Sequence, residues 1–222
     1  MTRATPILHR DDPGKAPLGG NVKVTRDDWL NIARDVLIQS GVADVKVLTL
    51  AGKLGVSRSS FYWYFENRDQ LLDALLAEWA ARNTAGLVAH CKRETATITE
   101  AVCNFFRCFL DPSHFDHGLD FAIREWARRD DALRGQVEKA DRARLQAVRD
   151  MFLRFDYTAV DADARARILY FMQLGYHALE VREPMRVRLS RVGPYVEGFT
   201  GRPVDQAALQ DFVAFVKALD LE

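Results

Sequence analysis

Apolar residues recur at helical spacing over most of this chain. Trp29, Ile32, Ala33, Val36 and Leu37 fall at i, i+3, i+4, i+7 and i+8, the stripe of an amphipathic helix that buries one face. Thr25 and Asp28 have the spacing of a capping box, Asp27 suits the positive end of a helix, and Gly41 permits the stop. The pattern therefore predicts a helix over about 27–40. Val47, Leu50, Ala51 and Leu54 share one face of a short second helix over 47–54, closed by Gly55. Ser57 is placed to cap a third helix over 58–64, and Asn67 a fourth that carries Leu71, Leu72, Leu75, Leu76 and Trp79. Later stripes predict helices over 98–110, over 119–129, and from Asp130 or Asp131 to about 155. Two more are expected, over 162–181 with Pro184 as its stop and over about 205–219. No strand series, repeat or low-complexity tract competes with this reading, so the expected fold class is all-α. Residues 1–21 hold Pro6, Pro13, Gly14, Pro17, Gly19 and Gly20 with little periodicity, and read as a flexible arm.

The 222 residues carry 31 Lys and Arg against 31 Asp and Glu. Zero net charge argues against a protein that coats nucleic acid or anionic membrane by bulk attraction, so any nucleic-acid site must be local. Cys91, Cys103 and Cys108 form no CxxC pair, and an odd, sparse set suits buried free thiols in a reducing compartment. There is no apolar run of the ~18 residues a membrane span needs and no signal-peptide core. A soluble cytoplasmic protein with no membrane partner is expected.

Two short helices joined by a tight turn at Gly55, between longer supporting helices, form a helix-turn-helix pattern. In a helix over 58–64, Phe61 and Phe65 lie one turn apart and face the core beside Leu50 and Leu54. That leaves Arg58, Ser59, Tyr62 and Trp63 on other faces. The segment from Trp29 to Trp79 resembles the DNA-binding domain of TetR-family transcriptional regulators. The likeness lies in Leu50-Ala-Gly-Lys-Leu-Gly-Val-Ser57, Phe61-Tyr-Trp-Tyr-Phe65 and Glu66-Asn-Arg-Asp-Gln-Leu-Leu72, three linked motifs in order.

The resemblance implies a dimeric repressor whose third helix enters the major groove of double-stranded operator DNA. Its C-terminal domain would bind a small-molecule effector and form the homodimer. The division it suggests is an arm over 1–21, a DNA-binding domain over 22–79 that includes the start of a linking helix, and a ligand-binding and dimerisation domain over 80–222. The groove-facing positions fall on Arg58, Ser59, Ser60, Tyr62, Trp63 and Tyr64. Arg58 has the donors for guanine O6 and N7, or for a phosphate. Tyr64 and Tyr62 offer phenols to the backbone or pack at the helix flank, and Trp63 either meets DNA or packs on a neighbouring helix. Arg68 stands where the family usually has Lys, placed to grip a phosphate with the helix N-terminus. Lys46 and Thr49, and at lower rank Lys53 and Lys23, are further backbone contacts. The chain departs from the family at Lys46-Val-Leu-Thr49, because Lys46 is a poor cap and Leu48 cannot bind phosphate. There the helix either begins from Asp44 or grips DNA through Thr49 and Lys46 alone. Between Lys46 and Arg68 stand four cations and one anion, so a reading unit of charge +3 sits inside a neutral chain.

The C-terminal part contains no GxSxG, P-loop, HExxH or GxGxxG, and neither catalytic residues nor a cofactor are expected. His114 and His117 are a two-histidine spacing on an expected loop, too few ligands for a metal. Aromatic residues are dense instead. Most of such stripes line cores, yet a pocket between helices binds apolar ligands with a few polar groups. Its candidates are Phe105, Phe109, Phe121, Arg124, Trp126, Phe152, Tyr170, Gln173, Tyr176 and His177, for a small apolar or aromatic compound with one polar handle. The resemblance puts the dimer on the last two long helices, where Met172, Gly175, Ala178, Leu179, Ala208, Phe212, Phe215 and Leu219 supply small and apolar residues. The rival reading is a helical ligand-binding or enzymatic protein with a vestigial helix-turn-helix.

Overall fold

The structure, a computed structural model, describes residues 24–219; the expected arm and Lys23 lie outside the described residues. Every regular element among them is a helix. Helix α1 (Arg26–Ser40) starts with the capping box, the Thr25 hydroxyl accepting from Asp28 N–H while the Asp28 carboxylate takes the Thr25 N–H at 2.7 Å. A 3₁₀ turn (Val42–Asp44) leads to α2 (Val47–Leu54), and Gly55 ends it in the left-handed region at φ 68°. There follow a 3₁₀ helix (Arg58–Trp63) and α3 (Arg68–Trp79), capped by Asn67 through Gln70 N–H. Their apolar faces meet at Trp29, Ala33, Leu37, Leu50, Phe61 and Leu75, all buried, with the Trp29 ring edge-on to Phe61 at 5.2 Å.

Helix α3 does not stop at Trp79. It runs through a π turn (Ala80–Ala85) into α4 (Gly86–Lys92), one rod that leaves the head and enters the body. The body adds α5 (Ile98–Leu110), α6 (His117–Ala127), α7 (Asp131–Leu153), α8 (Ala159–Ala178), α9 (Met185–Ser190), α10 (Val192–Thr200) and α11 (Gln206–Ala218). Helix α8 begins three residues before the predicted start, because Thr158 caps it through Asp161 N–H. Pro184 does not stop α8, which ends at Ala178, but precedes α9. Gly86 is where the rod crosses the turn before α6: a Cβ there would sit 2.6 Å from the His114 carbonyl oxygen.

Two apolar cores result. One fills the body around Phe105, Cys108, Phe152, Leu169 and Phe212. The other fills the head but also takes in Leu119, Ile123 and Ala127 of α6 with Leu133 and Val137 of α7, so packing continues across position 79. The three cysteines are buried free thiols, and burial raises Cys103 and Cys108 to about 12. No helix among the described residues is long and apolar enough to cross a membrane.

Between the cores lies a closed polar network. Asp120 is fully buried and receives Trp79 Nε1–H at 2.6 Å, Arg144 at 2.9 Å and Arg124 at 2.8 Å. Burial alone would raise its pKa, but the two guanidiniums outweigh that and hold it at about 2. Arg124 also grips Asp141 with two bonds, and the Tyr170 hydroxyl donates to the same carboxylate at 2.6 Å. Arg124 and Tyr170, expected in a ligand pocket, are instead spent on this network.

Candidate nucleic-acid interface

Helix α2 begins at Val47, and the extended Lys46 makes no side-chain cap. With Leu50 N–H bonded to the Lys46 carbonyl at 3.0 Å, the N–H groups of Val47, Leu48 and Thr49 have no partner within the helix. The Lys46 ammonium lies 3.6 Å from Asp44 and both are exposed. Helix α2 thus offers backbone donors and one cation, with the Leu48 side chain 68% exposed beside them.

The segment 58–63 is 3₁₀ rather than the expected α-helix. Ser60 N–H and Ser60 Oγ both bond the Ser57 carbonyl, at 3.2 and 2.8 Å. The Ser57 hydroxyl pairs with that of Ser59 at 2.7 Å and caps nothing, contrary to expectation. Hydroxyls that compete for the first carbonyls, followed by five consecutive aromatic rings with restricted χ1, disfavour a regular α turn here. Phe61 and Phe65 stay buried as expected, their rings 5.4 Å apart. The opposite side presents Arg58, Ser59, Tyr62 and Trp63, with Trp63 73% exposed, so Trp63 packs on no helix of the head. Ser60 is half-buried, as is Thr49 on α2, and Lys53 is exposed.

Two of the expected DNA contacts are turned inward. The Tyr64 hydroxyl donates to the Val24 carbonyl at 2.8 Å and ties the entry of α1 to the reading unit. Arg68 gives Nε to the Val45 carbonyl and one Nη to the Val42 carbonyl, both at 2.6 Å. Its guanidinium closes the 3₁₀ turn against α3, where a phosphate grip was expected. The exposed Leu48 is the feature that sequence reasoning set aside as useless for phosphate.

The body candidates scatter. Phe105 and Phe152 are core residues, and Trp126 is half-buried against the head core. Phe121 lines a cleft between α1, α6 and α8. Phe109, Gln173 and Tyr176 do line a common groove under α9, a partly open cavity of about 70 Å³. His117 is not on a loop but opens α6, and its ring stacks on His177 at 3.6 Å. His117 Nε2 donates to the Phe109 carbonyl and the Gln173 amide donates to His177 Nε2, each at 2.8 Å. Burial, with the neighbouring His117 and Arg188, holds His177 down at about 3.

Of the expected dimer residues, Phe212 points into the body core, Met172 lines the groove and Phe215 lies beneath the Arg107 guanidinium at 4.9 Å. Ala208, Gly175 and Leu219 are half-buried, while Ala178 and Leu179 are exposed, Leu179 by 78%. The apolar stripe that α8 leaves uncovered runs instead through Ile168, Phe171 and Leu179.

Residues 30–75 match the family model described as bacterial regulatory proteins, tetR family. The class D tetracycline repressor protein of Escherichia coli is 33% identical over 61 residues, which cover 28% of each chain. The fatty acid degradation regulator FadR from Bacillus halodurans has a similar fold, with a TM-score of 0.56 at 16% identity over 79% of this chain and 94% of that one. The ketosteroid transcriptional regulator KstR2 of Mycobacterium tuberculosis gives 0.52 at 17% identity, over 90% and 95%. Sequence similarity thus lies in the head, over little more than a quarter of the tetracycline repressor's length, whereas similarity of fold extends through the body.

Proposed function

Starting from its place in the TetR family of bacterial regulatory proteins, we propose that this chain is a ligand-responsive repressor, binding a palindromic operator as a homodimer. A small molecule held in the body releases it. The observation that carries the reading is the outward face of the reading unit, where Arg58, Ser59, Tyr62 and Trp63 stand exposed above a core of Phe61 and Phe65. A side chain as apolar as Trp63 gains nothing from water, and aromatic and hydroxyl groups beside a guanidinium suit bases and phosphates. Lys46, Thr49 and the open N–H groups of α2 take the flanking phosphates. Ser60 steadies the helix start, while Tyr64 and Arg68 position the unit from behind. The protein acts in the cytoplasm, needs no cofactor and performs no catalysis.

The functional division is a DNA-binding head over 22–79 and a sensing and dimerising body over 80–222, joined by a shared core. The exposed stripe of Ile168, Phe171 and Leu179 pairs with its copy across a two-fold axis. Two reading units then meet half-sites about one helical turn apart, ~34 to 36 Å. A physical link supports ligand response: Gln173 and Phe109 line the groove and bond the stacked histidines, and Gly118, next to His117, lies against Ile38 of α1.

A promoter fragment adjoining the gene tests this. It should be retarded by the wild-type protein, and Arg58→Ala should weaken the complex by about 1 to 3 kcal/mol if the guanidinium reads a base. Phe171→Glu should sediment as a monomer and lose the operator. No specific retardation at low salt would leave the rival, a helical ligand-binding or enzymatic protein with a vestigial helix-turn-helix.

A further inference from the structure

The groove beneath α9 has an apolar floor of Phe106, Phe109, Met172 and Phe212, and a charged wall on the side of α9 and the segment that leads to it. The charges on that wall are unequal in their commitments. The Glu183 carboxylate is taken twice, by the Arg191 guanidinium and by the Tyr176 hydroxyl at 3.1 Å. Arg188 is half-buried, and its guanidinium lies 4.8 Å from the centre of the Tyr176 ring. Among the described residues no carboxylate comes within salt-bridge distance of it and no acceptor takes a hydrogen bond from its side chain. Arg188 and Arg191 against Glu183 leave this wall with one positive charge in excess.

A half-buried guanidinium that packs on the Tyr176 ring keeps its N–H donors available to a ligand in the groove. A cationic ligand would face Arg188 without relief, since the one nearby carboxylate is already satisfied. A neutral oxygen could accept one hydrogen bond from the guanidinium but would leave the excess charge unmatched. A carboxylate matches its planar donors and neutralises the excess. From this, and resting on the sensor role proposed above, we infer that the effector is an amphipathic carboxylate. Its head group pairs with Arg188 and its apolar body lies against Phe109 and Met172. Met185 and Leu189 of α9 roof the groove, so an apolar body lying on its floor meets them from below. That roof is a six-residue helix reached through Glu180, which holds a left-handed φ of 48°.

Decanoate, decan-1-ol and decylammonium, titrated below their aggregation limits into the full chain by calorimetry, test the head group at constant tail. Decanoate should bind at least ten-fold more tightly than either of the others. Arg188→Gln should remove that advantage, leave decanol binding unchanged and keep the wild-type circular dichroism; Arg188→Lys should retain part of it. Equal binding of decanol, an unchanged affinity in Arg188→Gln, or no binding by any of the three would overturn the carboxylate assignment. Retardation of the promoter fragment separates this from the sensor reading. Arg188-dependent decanoate binding that leaves the DNA complex intact would keep the ligand class and discard release. A DNA complex dissolved equally by decanol and decanoate would do the reverse.

Discussion

Arg68 works as a clamp inside the head. Its bond to the Val45 carbonyl satisfies an acceptor ahead of α2, and its bond to the Val42 carbonyl adds a second donor to one already taken by Val45 N–H in the 3₁₀ turn. Arg68→Ala is therefore expected to lower the unfolding free energy by roughly 2 to 3 kcal/mol, the scale of hydrogen bonds to charged groups, with Arg68→Lys intermediate. Chemical denaturation measures it. Tyr64→Phe should lose about 1 kcal/mol for its single bond to Val24 while leaving the base preference of operator binding unchanged. Both residues show what residue type alone hides. A phenol on the expected reading helix and a guanidinium at the start of the next look like DNA contacts, and the carbonyls they bond, forty positions away for Tyr64 and twenty-three or more for Arg68, are invisible to local spacing.

At the scale of elements, local chemistry made much of the head legible. The capping box at Thr25, the cap at Asn67 and the left-handed Gly55 each act within a few residues, so spacing suffices to place them. Gly55→Ala should destabilise by about 1 to 2 kcal/mol through backbone strain alone, since a Cβ there meets nothing within 4 Å. Denaturation midpoints should show the loss, and Gly55→Asn should recover much of it. Where elements follow from tertiary contacts the pattern fails. The linking helix is expected only from its start before residue 79; its passage into the body is held by Asn83, which is buried and exchanges hydrogen bonds with the Asp116 backbone. No element is expected between about 181 and 205, but Val196 and Phe199 bury α10 against the body. The inward turn of α11 is another tertiary decision: Phe212 and Val216 are apolar enough for either a dimer or a core, and the core takes them.

Across the whole molecule, head and body are joined by groups whose charge states matter. His177, His117 and His90 are all held below the usual histidine pKa, chiefly by burial, so the folded protein keeps them neutral where the unfolded chain would protonate them. Their contribution to stability is complete above about pH 6.5 and declines as the pH falls toward 3, the value for His177. Asp120 acts in a lower window, its contribution present above 3.8 and lost as the pH falls through about 2. Unfolding free energy measured from pH 7.5 to 4.5 should therefore decrease, and His177→Phe should flatten the decline. A slope unchanged by that substitution would place the titration elsewhere.

The π turn at Ala80–Ala85 gives this joint an angular meaning. Each residue of a wound backbone advances the azimuth by roughly 100°. The π turn sets the phase between Leu75 and Trp79, which face the head core, and Leu87 and Cys91, which face the body core. A deletion here would barely shorten the rod, yet it would index one core against the other like a gear moved by a tooth. In a two-fold assembly the same turn would be repeated in both heads, so a single lost residue would change which way the reading faces point long before it changed the length of the rods.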